Sequence, residues 1–150
     1  MNKIVFEEYF NKSEGKPFIY NGKEVKMSDK IQLSSSKVAL KVNFVSTDSE
    51  WKQGIVFQTK GEFEINDQKI PAKIVLWEDT APMELQLLVK SKDKVLFVYN
   101  VWDTGDGTIQ YGHNGAAISI EKDSSSIIYN CNDGHPNDDF SDLIFKIEFL

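Results

Sequence analysis

An alternation of apolar and polar side chains with a period of two recurs along almost the whole chain, and no other feature narrows its fold as far. Val38, Leu40, Val42 and Phe44 alternate with Ala39, Lys41 and Asn43, and Met83, Leu85, Leu87 and Val89 with Glu84, Gln86 and Leu88. Leu143, Phe145, Ile147 and Phe149 alternate in the same way with Ile144, Lys146 and Glu148. Successive side chains of a strand point to opposite faces, so each run is a strand with one buried face. Residues 95–102 (Val-Leu-Phe-Val-Tyr-Asn-Val-Trp) are apolar on both faces, as a central core strand requires. One face of that run, either Val95, Phe97 and Tyr99 or Leu96 and Val98, is expected to meet Phe145, Ile147 and Phe149.

Turn residues punctuate the alternation. Asn21-Gly22 tolerates positive φ at both positions and joins 17–20 to 23–27 as a hairpin. Lys60-Gly61 and Asn66-Asp67 separate strands at 54–58, 62–65 and 69–77. Pro71 cannot donate a ladder hydrogen bond, so its strand belongs at an edge or begins after it. Ile4-Val5-Phe6 opens a strand or, continued to Phe10, a helical turn. With 116–120 and 126–129 the count reaches about ten short strands, which predicts an all-β fold, an antiparallel β-sandwich of jelly-roll type. At 150 residues it is expected to form one domain, 1–150.

The oxygen-rich stretch before the last strand carries the sharpest chemical signal. Asn132, Asp133, Asn137, Asp138, Asp139, Ser141 and Asp142 crowd into eleven positions. Carboxylates so close repel one another unless N–H groups, water or a cation compensates, and hard cations such as Ca²⁺ take six to eight oxygen ligands. The same residue types also make ordinary solvated turns, as Asp133-Gly134 followed by Pro136 illustrates. The register is not that of an EF-hand, because the twelve-residue spacing and closing Glu are missing. A second polar loop, Asp103-Thr-Gly-Asp106-Gly-Thr, continues into Tyr111-Gly-His113-Asn114-Gly115. If both loops share one end of the sandwich, Asp103, Asp106, His113 and Asn114 join Asp139 and Asp142 there. Trp51, beside Asp48, Glu50 and Lys52, is the tryptophan best placed to offer an exposed platform, whereas Trp102 reads as core.

Asp133-Gly134, then Asn137-Asp138-Asp139-Phe140-Ser141-Asp142-Leu143-Ile144 leading into a terminal strand, resembles the ending of bacterial calcium-dependent sugar-binding lectins and related calcium-binding β-sandwich modules. The resemblance covers about a dozen positions of the chain. It implies Ca²⁺ held by Asp139, Ser141 and Asp142, with Asn137 or Asp138 as further ligands, and a carbohydrate bound through the ion. His135-Pro136 lengthens the loop relative to that pattern, which bears on Asp133, and Leu150 replaces the small terminal residue of those lectins.

Composition removes several classes. All seventeen basic residues are Lys and the net charge is −6, so the bidentate Arg forks that read phosphate and base edges are missing and nucleic acid is not an expected partner. No apolar run approaches the ~20 residues of a membrane helix. The single Cys131 makes no internal disulfide; Cys131 and His135, with Asp133 between, suggest a Cys–His pair or half a zinc site, but one Cys and two His fall short of the four N/S ligands of a structural zinc, and neither is expected. No phosphate loop, Gly-x-Ser-x-Gly or His-Glu-x-x-His motif is present, so a non-enzymatic role is expected. The first eight residues lack a signal-peptide pattern, giving cytoplasmic residence by default, although a non-classical export route would leave the same start. Two functions follow: a calcium-binding module for carbohydrate, or a small acidic interaction protein, such as an immunity protein, that neutralises a toxin through charge.

Overall fold

The computed structural model describes residues 3–150; Met1 and Asn2, which open the segment read above for a leader, lie outside them. The elements in chain order are α1 (Phe6–Lys12), β1 (Phe18–Tyr20), β2 (Lys23–Lys26), β3 (Asp29–Gln32), β4 (Lys37–Thr47), β5 (Lys52–Ile65), β6 (Gln68–Trp77), β7 (Glu84–Asp103), β8 (Ala117–Lys122), β9 (Ser126–Asn132) and β10 (Leu143–Phe149). The protein is all-β and antiparallel, as the alternation predicts. Its strands form one ten-stranded sheet in the order β1-β2-β8-β9-β10-β4-β7-β5-β6, with β3 added to β7 off that path. Among the described residues the strands pair into this one open sheet and not into the two separate sheets of the jelly-roll sandwich expected above.

Hairpin chemistry falls where the sequence put it. Asn21 (φ 50°) and Gly22 (φ 77°) join β1 to β2, and Asn66 (φ 49°) and Asp67 (φ 65°) join β5 to β6, both with the paired positive φ that matches strand twist. Pro71 lies in β6, an edge strand, opposite Glu62 and beside the register shift in the β5–β6 pairing, the kind of place where a residue without an N–H is tolerated.

The break expected at Lys60-Gly61, and the residues 91–94 that lie between the runs 83–89 and 95–102, are bends inside long strands. β7 runs unbroken through 91–94, where Ser91 Oγ accepts from Val95 N (3.2 Å) and donates to Asp93 Oδ1 (3.0 Å), and Lys94 takes φ 59°. Before the bend β7 pairs with β4, beyond it with β3, and β5 follows it on both sides. Lys60-Gly61 is likewise not a turn but an irregularity within β5, with Gly61 opposite Ser91. A Cβ at Gly61 would overlap the Lys90 carbonyl, so glycine lets the two strands bend together.

The main core collects the inward residues of every long strand, among them Leu40, Phe57, Leu96, Val98, Phe145 and Ile147. Fully burying such side chains stabilises by about 1.5–3 kcal/mol each. On β7 the buried face is Leu96 and Val98, while Phe97 stays 39% exposed. A second, smaller cluster lies under α1, where Phe6 and Phe10, four apart on one helical face, pack with Val25, Ala117 and Phe140. The helical alternative for 6–10 is therefore the one adopted. No helix among the described residues is long and apolar enough to cross a membrane.

Candidate functional site: an acidic groove

β9 delivers Asn132 and β10 begins at Leu143, so residues 133–142 arch between two paired strands. Leu143 is paired with Cys131 on one side and Thr47 on the other. Asp48 N donates to Asp142 O (3.1 Å), which extends that pairing and lays 47–50 alongside the arch. Inside the arch, the fully buried Asn132 donates from Nδ2 to Asn137 O (2.9 Å) and accepts at Oδ1 from Phe140 N (2.7 Å). One side chain thereby takes the place of ladder bonds that the loop backbone cannot make.

Asp133 is the hub beneath the groove. Its Oδ2 accepts from Ser49 Oγ (2.6 Å) and Gln53 Nε2 (2.9 Å), and its Oδ1 accepts from His135 N (3.0 Å) and faces His135 Nδ1 at 2.6 Å. Burial pushes this carboxyl's pKa up, but the bonds from Ser49 and His135 more than offset it and hold it below the ordinary range. An ionised Asp133 only accepts, so the proton on Nδ1 belongs to His135. The other ring nitrogen, Nε2, faces Glu50 Oε1 at 3.1 Å. Burial lowers the pKa of His135, whereas hydrogen bonds to Asp133 and Glu50 raise it further, leaving it above the usual histidine value. The ring stacks on Trp51 at 3.8 Å between centroids, and Trp51 stacks in turn towards Trp102 at 6.5 Å.

Asp142 is the poorly compensated member. Its Oδ2 accepts from Asp133 N (2.9 Å) and it is 4% exposed. Burial, with the neighbouring Asp133 and Asp139 charges adding to it, raises its pKa to about 7, the backbone hydrogen bond opposing them. Above the arch lies an open groove of about 510 Å³ lined by Thr47, Asp48, Ser49, Glu50, His135, Asn137, Asp139 and Asp142. Four carboxylates share it, and among the described residues none of Asp48, Asp139 and Asp142 is paired with a Lys. Asn137 Oδ1 is buried with no hydrogen-bond partner. Ligand atoms of Asp133, His135 and Asp142 lie within 4.8 Å of one another, a spacing that can hold a metal.

The residues expected from sequence divide. Asn137, Asp139 and Asp142 line the groove, and Asp133 supports it from below with its oxygens already engaged. Ser141 is half-buried beside them, outside the groove lining. Asp138 accepts from Tyr20 Oη (2.8 Å) on the far side of the arch. Asp103 and Asp106 do not join the groove: Asp103 Oδ1 accepts from Gly105 N and Gly107 N, and Asp106 Oδ1 from Thr108 N, closing their own turn. His113 sits edge-on to Trp102 at 6.4 Å, and Asn114 holds α1 through its backbone, its carbonyl accepting from Glu7 N (2.7 Å). Trp51 gives one face to His135. Asp48, Ser49, Glu50 and Gln53 were not expected from sequence. Their polar cluster after a strand was visible, but only the β4–β10 pairing brings it to the arch. Comparisons with protein-family models, curated proteins and solved structures return no match, so the groove is read from its own chemistry.

Proposed function

We propose that the protein is a non-enzymatic binding module, a single sandwich-like domain whose acidic groove takes a divalent cation, with Ca²⁺ the ion favoured by its oxygen donors. The observation that carries this reading is the convergence of Asp133, His135 and Asp142, whose ligand atoms lie within 4.8 Å of one another at a groove of acids without a lysine. A bound cation supplies the missing charge there. Asp142 offers an oxygen at that cluster, and Asp139, Asp48, Glu50 and the unpartnered Asn137 Oδ1 line the same groove as further hard oxygen donors of the kind Ca²⁺ prefers. Asp133 has no free lone-pair direction and acts as the support that orients its neighbours. Ser49 Oγ is spent on Asp133 and His135 Nε2 on Glu50, so the groove pairs no nucleophile with a base. The resemblance of 137–144 to calcium-dependent lectins supports the same ion and makes carbohydrate the ligand class to try first.

Calorimetric titration of Ca²⁺ into metal-free protein tests this. Saturable binding, lost in the double variant Asp139→Asn and Asp142→Asn, is the expected result; no heat at millimolar Ca²⁺ removes it. A glycan array probed with Ca²⁺ and with chelator then tests the ligand. If binding to a basic protein proves salt-sensitive but indifferent to chelator, the groove belongs to a protein partner instead.

A further inference from the structure

We propose that residues 4–26 form a strap that closes over the acidic arch and sets whether Asn137 and Asp139 stand in the groove, a regulation that rests on the cation reading above. The strap is weakly joined to the sheet. β1 pairs only with β2, and β2 reaches the remaining strands through two register pairs, Val25↔Ser119 and Lys26↔Ile118. Its apolar side chains build the small cluster of Phe6, Phe10 and Val25 with Ala117 and Phe140, apart from the main core. Segments with few ladder bonds and a small core of their own open at lower free energy than the whole fold.

The strap grips the outer arch and, through Glu7 N to Asn114 O (2.7 Å), the loop before β8. Ile4 N donates to Pro136 O (3.1 Å), Tyr20 Oη to Asp138 Oδ2 (2.8 Å), and the Phe6 ring lies 5.4 Å from that of Phe140. Phe140 carries φ 51°, a conformation costly for a bulky residue and held here by that packing on one side and by its N–H to Asn132 Oδ1 (2.7 Å) on the other. Asp133 and Asp142 are anchored elsewhere, on Ser49, Gln53 and the start of β10. Opening the strap therefore removes the packing on Phe140 and leaves Asn132 alone to hold Phe140 N and Asn137 O, so that the arch carrying Asn137 and Asp139 loosens about that residue while Asp133 and Asp142 stay in place. Anything that draws the N-terminal segment away lowers cation affinity, and the cation in turn tightens the strap, since coupling between sites is reciprocal.

Amide hydrogen exchange on the full chain without any ion tests the strap independently of the groove reading. Amides of 4–26 and 136–140 are expected to exchange as one unit, faster than those of β4 and β7. Phe6→Ala should accelerate both segments by ~100-fold or more and leave β4 and β7 unchanged. Tyr20→Phe, which removes one hydrogen bond and no core atom, should accelerate them by about 3–10-fold if the larger truncation fails to fold. Acceleration of 4–26 with 136–140 at the wild-type rate overturns the proposal, as does exchange of both only with the whole sheet. In a second arm, Ca²⁺ should slow exchange across 4–26, and Ca²⁺ binding without that slowing also overturns it. Absence of Ca²⁺ binding removes the cation reading alone, and the ion-free arm then decides the strap.

Discussion

His135 Nδ1 lies 2.6 Å from Asp133 Oδ1, and that contact fixes the imidazole so that Nε2 turns outward to Glu50 at 3.1 Å. A neutral ring would present a lone pair to a carboxylate at Nε2, so either a proton or a cation belongs between them. Asp142 has one backbone N–H donor, from Asp133, and no lysine beside it, so its positive neighbour is the His135 ring when protonated.

The pH dependence of stability follows from these shifts. Asp142 has its pKa raised to about 7, so its contribution is full below the ordinary carboxylate value near ~4 and is gone by about 7. His135, also raised, loses its contribution as pH climbs from its unfolded value near ~6.5 through its folded one. Asp133 is lowered and acts oppositely, its contribution being lost as pH falls below ~4. Metal-free protein should therefore weaken from mildly acid to just above neutral pH, and Asp142→Asn should flatten the stretch between ~4 and ~7. Denaturant midpoints measured from pH 4 to 9 check this; identical slopes for both proteins would refute it.

Asn132→Ala should destabilise by about 2–4 kcal/mol, because Phe140 N–H and the Asn137 carbonyl lose their partner inside the arch. Urea denaturation measures the loss. A value within ~0.5 kcal/mol of zero would show that water replaces the side chain and that the arch does not depend on it.

Tyr129→Phe tests a buried pair far from the groove. Tyr129 Oη donates to Asp29 Oδ2 (2.7 Å), and burial together with that carboxylate pushes the phenol's pKa well up. Asp29 is fully buried and, among the described residues, has Lys26 at 3.3 Å as its one other side-chain partner. Removing the hydroxyl should cost about 1.5–3 kcal/mol while leaving Ca²⁺ affinity unchanged, and the same denaturation and titration measurements report both.

The sheet was legible because period-two patterning and paired positive-φ turns are local properties of the chain. Leu143, Phe145 and Ile147 face the core as their alternation requires, and Asn21-Gly22 and Asn66-Asp67 turn as expected. The bend at Lys60-Gly61 was misread as a strand end, and 91–94 fell between two runs read separately, because a glycine or a serine-aspartate pair looks the same locally whether it ends a strand or bends one. What decides is the partner: Gly61 faces Ser91, and the two irregularities share one crease. The site was half legible for a related reason. Crowded acids at 133–142 announce themselves, but Ser49, Glu50 and Gln53 arrive through strand pairing that no local pattern encodes. Asp103 and Asp106 have the same composition as the arch residues and are consumed by their own turn.

Asp142→Asn should move stability and binding in opposite directions. An amide at this position keeps an oxygen to accept from Asp133 N but removes a charge that burial and the Asp133 and Asp139 carboxylates disfavour. At pH 8 the metal-free variant should therefore be more stable than wild type, on the order of 1 kcal/mol, since each unit of raised pKa corresponds to about 1.4 kcal/mol against the charged form. In the presence of Ca²⁺ the order should reverse. Wild type gains RT ln(1 + [L]/Kd), about 2.7 kcal/mol at a hundredfold excess over Kd, while the variant has lost a ligand and gains little. Thermal melts at pH 8 with Ca²⁺ and with chelator give both numbers from one pair of proteins. If Asp142 is only a structural residue of the arch, the variant is less stable in both conditions and the curves do not cross.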